Sequence, residues 1–399
     1  MQNNVLSALR TIAALCAWNA LLLPAVAQQR TLSVRIDNPC ADARHNKVVE
    51  LDAARVLKKL QPAAGQVPVV RDDSGRRLTS QLTYDGKLLF TVSVEGKSAR
   101  TYTLEAGAPT QADTLACGRC YPERQDDLAW ENDCVAFRAY GPALRRSGEK
   151  AYGYDLFAKR VTYPMLVKMY DGELHRGISY HRDHGEGMDC YNVGPTLGCG
   201  TTALLTDGDS IVYPWVYERC EILDNGPLRF TARLVFPPLS LNGGDNVTET
   251  RIISLDRGNR LNKTVITYEG LSRKTRLLTG LVIHQNKPEA FRHESKARFI
   301  ACEDPTNAPK AGNGLLFTGA VFDKQPERTE VRLFTDRERS RVRGAFGHVA
   351  AQSAYRPGKP FTYYWGYGWT KAGIADMNAW EAYLKTFADR LRHPLRIRY

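Results

Sequence analysis

Residues 225–236 read NGPLRFTARLVF. The Asn225-Gly226 pair signals a turn. After it Leu228, Phe230, Ala232, Leu234 and Phe236 alternate with Arg229, Thr231 and Arg233. A period of two places every second side chain on one face, so this is a half-buried strand. The pattern repeats on both sides. Strands are predicted at Cys134 to Tyr140, Met165 to Tyr170, Val247 to Leu255, Leu261 to Tyr268, Leu278 to Gln285, Leu315 to Phe322, Glu330 to Thr335 and Phe361 to Tyr367. Many strands at short spacing with few helices between them predict an all-β antiparallel sandwich or barrel.

The series ends in a different period. Trp380, Tyr383, Leu384, Phe387 and Leu391 recur at helical spacing, and Pro394 stops them. This predicts one C-terminal amphipathic helix packed on a sheet. Upstream, Thr31 to Ile36, Val67 to Arg71, Lys87 to Val94 and Arg100 to Leu104 read as short strands, with a helix over Asp52 to Leu60. Residues 28–115 are therefore expected to form a small β-rich N-terminal module. Gly107 to Glu123 reads as a linker, and 120–399 as the sandwich domain.

The first 27 residues carry Arg10, an apolar run and a small-residue site ending at Ala27. That is the pattern of a cleaved signal peptide, predicting an exported protein, periplasmic or secreted, with no membrane span. About 370 residues then remain, enough for one large domain or two smaller ones. Of nine cysteines Cys16 lies in the leader, which leaves an even number. In an oxidising compartment this suggests disulfides, with Cys190 and Cys199 placed to staple the loop between them and Cys117-Gly-Arg-Cys120 pinning the linker. The formal net charge of +12 suits anionic partners. Nucleic acid fits poorly with export and no recognition module. An acidic polysaccharide, uronate-containing or sulfated, fits both.

One stretch is unlike any core element. SYHRDHGEGMDCYNVGPTLGCGTT, residues 179–202, crowds His181, His184, Asp183, Glu186, Asp189, Arg182 and Tyr191 among glycines and prolines. It reads as a folded loop that carries chemistry. His181, His184, Glu186 and Asp189 are residue types that can ligate a divalent metal, but Gly185 and Gly187 break the helix that would align them. Metal-free proton transfer is the main reading: histidine titrates near neutrality, Tyr191 can donate a proton, and Arg182 can grip a carboxylate. No redox cofactor is required. Around Trp130, the run from Pro122 to Asn132 sets an aromatic among Arg124, Glu131 and other charges, a pattern that suits sugar stacking or a buried turn. Tyr363, Trp365 and Tyr367 share one face of a strand, either a core face or a sugar platform. His284 closes an apolar strand. There is no G-x-S-x-G, P-loop or dinucleotide fingerprint, which argues against the common serine hydrolases, kinases and nicotinamide enzymes.

Trp130-Glu-Asn-Asp133, Ala136-Phe-Arg-Ala-Tyr-Gly141, His181-Arg-Asp-His-Gly-Glu-Gly187 with Asp189-Cys-Tyr191, Gly194-Pro-Thr-Leu-Gly-Cys-Gly200 and Gly368-Trp369 resemble one family. It is the group of bacterial secreted proteins called domain of unknown function 4861. The resemblance implies a β-supersandwich like that of galactose mutarotase. It also implies a carbohydrate substrate, and a dehydratase or lyase activity on uronate-containing oligosaccharides. Carried over by position, His181, His184, Tyr191 and His284 are the proton-transfer residues. Arg124, Trp130, Glu131, Arg182, Glu186 and Trp365 are the expected substrate contacts. The competing readings are a non-catalytic sugar-binding protein and a glycoside hydrolase pairing Glu131 with Glu186 or Asp189. Oligomeric state cannot be read from the sequence.

Overall fold

The computed structural model describes residues 30–342 and 344–399; the side chain of residue 245 is not described. The expected signal peptide lies outside these residues. No helix among them is long and apolar enough to cross a membrane.

The fold is all-β and antiparallel, and the predicted strands largely form. Two sheets make the body. The larger has nine strands, among them Arg229–Val235, Asp245–Asp256, Leu261–Glu269, Phe361–Trp369, Leu316–Phe322 and Phe299–Asp304. The second runs in the order Ile211–Val212, Cys199–Leu205, Thr275–Ile283, Gly347–Tyr355 and Arg328–Leu333. Phe230, Ile253, Ile266 and Trp365 from one meet Leu204, Leu277, Leu281 and Val349 from the other in a shared core. The alternation in 228–236 is what permits this: Phe230, Ala232 and Leu234 are fully buried. One glycine of the central loop has a structural duty here. Gly200 sits at φ +101 beside a register shift in its strand. A Cβ there would lie 2.8 Å from Cβ of Trp365, so only glycine lets the two sheets close at this point.

The predicted C-terminal helix spans Met377–Arg392. Asp376 caps it by accepting from the Ala379 amide at 2.8 Å. Trp380, Leu384 and Ala388 pack on Phe299, Ala301, Phe317 and Val321, the outer face of the nine-stranded sheet.

The N-terminal module holds a five-stranded and a three-stranded sheet around Val34, Ile36, Leu51, Val56, Phe90 and Leu104. Its helix, Ala53–Leu60, starts at Asp52, which accepts from Arg55 N at 2.8 Å. The five-stranded sheet is completed from the far end of the chain: Arg396–Arg398 pairs antiparallel with Arg35 to Asp37. The stretch expected as a linker contains a strand, Cys117–Tyr121, which joins a further five-stranded sheet with Asp127–Glu131, Ala136–Ala139, Asp155–Lys159 and Gly187–Met188.

Two expectations are corrected. Residues 165–170 are not a strand but the start of a helix, Leu166–His175. The amides of Met165 and Leu166 donate to the Glu131 carboxylate at 2.8–3.0 Å. A helix started by a side chain from a distant strand has no local signature. The cysteines among the described residues are free thiols, so Cys190 and Cys199 do not staple the loop. Cys117 and Cys120 are an odd number of positions apart on one strand and so face opposite ways. Cys120 instead lies 3.4 Å, sulfur to sulfur, from Cys220. Treatment with oxidised glutathione is expected to join these two, lowering the intact mass by two hydrogens. Cys220→Ser should abolish the loss. An unchanged wild-type mass would show the pair too constrained to reach bonding geometry.

Candidate active site

The central loop is fixed part-way along by Gly187–Met188, which pairs with Ala158 and Lys159. Within it the polar side chains turn back on the loop. His181 Nδ1 lies 3.1 Å from the Asp189 carbonyl, and His184 Nε2 lies 3.0 Å from the Ser179 carbonyl. Glu186 pairs with Lys168 at 2.8 Å and accepts from the Tyr163 hydroxyl at 2.8 Å. The Lys168 contact, with that hydroxyl, holds its carboxyl below the usual range. Asp189 is buried against Arg138. Of the four residues suited to a metal only His181 and Asp189 meet, and the four form no ligand cluster among the described residues. His181, Arg182 and His184 are exposed to solvent.

Beneath the loop lies a charged network. Arg138 is buried and donates to Asp155 and, at 2.9 Å, to Asp189. Tyr140 donates to Asp155 at 2.7 Å. Arg124 Nε lies 3.3 Å from the Tyr180 hydroxyl, half-buried at the edge of this network. Asp127 is fully buried, and burial raises its pKa to about 6 although Arg138 and Arg124 pull it down. The folded chain therefore takes up this proton more readily than the unfolded chain, whose aspartate titrates near about 4. Stability from Asp127 is fully present below about pH 4 and is lost as pH rises through about 6. Asp127→Asn removes that slope. Its stability relative to wild type is expected to rise by roughly 3 kcal/mol between pH 4 and 7, read by denaturation at each pH. A difference that stays flat across this range would assign the titration elsewhere.

His284 closes its strand as expected, and its partner is a residue the sequence did not single out. Nδ1 lies 2.5 Å from Oδ2 of Asp304. Asp304 is itself held, with Oδ1 accepting from Thr306 N at 2.8 Å. The same turn reaches the central loop, where Asn307 N donates to the Cys190 carbonyl at 2.8 Å. Tyr191 follows directly. Its ring stands edge-on to His284, centroids 5.9 Å apart. Burial keeps the Tyr191 phenol far above its ordinary pKa, and its hydroxyl has no partner among the described residues. In the neutral ring with Nδ1–H donated to the carboxylate, Nε2 of His284 would carry the lone pair. That nitrogen has no partner among the described residues and is not sealed from solvent. The structure thus joins Tyr191 to His284, His181 to Asp189, and leaves His184 on its own backbone.

Three expected substrate contacts are corrected. Trp130 and Trp365 have zero exposure. Trp130 Nε1 donates to Asn262 at 2.8 Å, and Trp365 stacks on Tyr154 with centroids 4.0 Å apart. Both are core anchors between the sheets, out of a sugar's reach. Glu131 is buried on Lys159 and on the helix amides. With Glu131 and Asp189 both committed to buried cations, the carboxylate pairs of the hydrolase reading are not free to act. Asp304, Arg138 and Asp155 were missed, and no spacing could have shown them. Asp304 meets His284 only because two different sheets stack.

Comparison with known proteins adds the following. The profile of the family described as Domain of unknown function (DUF4861) matches residues 36–397. The chain is 27% identical over 321 residues to a protein named Uncharacterized protein P7 from Formosa agariphila, spanning 78% of this chain and 77% of that one. Two solved structures from Enterococcus faecalis superpose on it, each at 8% identity. One is described as a protein in the Glycosyl Hydrolase Family 38, with TM-score 0.47 over 93% of this chain. The other is an alpha-mannosidase, with TM-score 0.45 over 92%. The chain spans about half the length of each, 47% and 46%. Likeness at this level does not bear on activity.

Proposed function

Since the chain belongs to the family of the domain of unknown function DUF4861, its activity has to be read from the site, and we propose an exported carbohydrate-active enzyme, a carbon–oxygen lyase acting on uronate-containing oligosaccharides. The observation that carries this is the His284–Asp304 pair, Nδ1 anchored at 2.5 Å and Nε2 open, set beside the unpartnered hydroxyl of Tyr191.

In a uronate the C5 proton is acidified by the adjacent carboxylate. His284 Nε2 removes it, the electron pair becomes the C4–C5 double bond, and the C4–O bond breaks. The departing oxygen takes a proton from Tyr191 and leaves as water or an alcohol. Tyr191 is only 4% exposed, so substrate entry requires the segment around it to move aside. Exposed Arg182, on the same loop as Tyr191, is the cation proposed to meet the sugar carboxylate. His181 and His184, exposed on that loop, are proposed to meet sugar hydroxyls. The excess of positive charge favours encounter with an acidic chain.

The test is incubation of the full chain with a panel of uronate oligosaccharides, followed by absorbance of a conjugated double bond. A rising absorbance is expected with at least one of them. A new reducing end with no double bond would select hydrolysis, and no product across the panel would sink both the lyase and the substrate class.

A further inference from the structure

We propose that the groove between the N-terminal module and the outer face of the nine-stranded sheet is a second carbohydrate site, one that holds an acidic sugar residue. It is independent of the reaction above, and none of the candidate catalytic residues lines it.

The groove is a cavity of about 420 Å³. That size is in the range of pockets that hold small ligands. Three elements build the walls. Strand Arg44–Asp52 brings Lys47, the sheet brings Arg229, Lys263 and Tyr364, and the C-terminal helix brings Phe387 and Arg390. The charge on these walls is not balanced. Arg44, Lys47, Arg229, Lys263 and Arg390 face Glu50 and Asp256. Both carboxylates are already taken by Arg229, at 2.7 and 2.5 Å. Lys47 Nζ has a neutral acceptor, Asn259 Oδ1 at 3.0 Å. Arg390 gives one nitrogen to the Ala43 carbonyl at 3.1 Å, while its Nε is buried without a partner. Exposed Lys263 meets no carboxylate among the described residues. Burial first, and then the neighbouring guanidinium groups against the attraction of Asp256, lower the pKa of Lys47. Cations gathered in this way without counterions attract an anion.

The anion is a sugar because of what stands between the charges. Lys263 is paired across the strands with Tyr364, so an ammonium and a phenol ring lie side by side. The ring of Phe387 stands edge-on to Tyr364, centroids 5.1 Å apart. A flat apolar ring face beside cations matches a pyranose face beside a carboxylate or sulfate.

Titration calorimetry on the full chain tests this with three probes of equal length: an oligogalacturonate, a sulfated oligosaccharide and a neutral oligosaccharide. One or both anionic probes should bind, with affinity falling as salt is added. The tighter of the two identifies the group recognised, carboxylate or sulfate. Lys263→Glu puts a like charge in the groove from an exposed position and should weaken binding by roughly tenfold or more. Arg390→Gln gives a second reading should that variant fail to fold. Lys359→Glu, an exposed turn residue outside the groove, should bind as wild type does. Equal affinity for the neutral probe, no binding by either anionic probe, unchanged affinity in folded Lys263→Glu, or an equal loss of binding in Lys359→Glu would each overturn the proposal. Because the readout is affinity, it stands or falls separately from any double-bond product.

Discussion

Alanine at His284 is expected to slow formation of the unsaturated product by about 10²–10⁴-fold, the usual contribution of a positioned base. The fold should survive, because His284 lies at a strand end and is partly open to solvent, with a side-chain exposure of 11%. Asp304→Asn is expected to be nearly as damaging for a different reason. An amide nitrogen facing Nδ1 would draw the imidazole proton onto Nε2, and the base would present a proton instead of a lone pair. Initial rates read by double-bond absorbance, alongside thermal melts of each variant, check both. A His284→Ala chain that eliminates at the wild-type rate would move the base elsewhere, with His181 the first residue to try.

The second large effect concerns stability. Glu131→Ala is expected to cost about 3–5 kcal/mol, the range for breaking a buried ion pair by removing one partner. Two losses coincide. Lys159, with no exposed side-chain surface, is left without its carboxylate. The helix Leu166–His175 loses the acceptor of its first amides. Replacing both partners, Glu131→Leu with Lys159→Met, should recover part of the loss because no charge is then left buried. Chemical denaturation followed by tryptophan fluorescence reads the difference. A loss below about 1 kcal/mol would indicate that water reaches the pair.

These residues also show what a single sequence can carry. Alternation in 228–236 and helical spacing from Trp380 onward name their elements because burial of one face imposes the period locally. Both survive in the fold. The glycine-rich loop was legible as a loop for the same reason, since positive φ at Gly185, Gly187, Gly194, Gly198 and Gly200 is a local demand. What was not legible depends on contacts made at a distance. Residues 165–170 are apolar enough to pass for a strand, and the remote carboxylate of Glu131 starts a helix there. Trp130 and Trp365 carry the same flat faces whether they meet a sugar or each other. The stacking of the sheets decides it, with their rings 6.2 Å apart. The His284–Asp304 contact joins strands of two sheets, and nothing near either residue announces the other. Carbohydrate chemistry itself was suggested by resemblance and charge.

The pairing of Arg396–Arg398 with Arg35 to Asp37 has a bearing on biogenesis. Until residue 398 has been synthesised, the strand Thr31–Asp37 has its ladder partner Ala99–Gly107 on one side and a bare flank on the other. A nascent or truncated chain therefore presents that flank to any passing strand, the situation in which aggregation begins. Maturation of the first module waits on synthesis of Arg396–Arg398, so chains that stop before these residues should be cleared by proteases as though the front of the molecule were damaged.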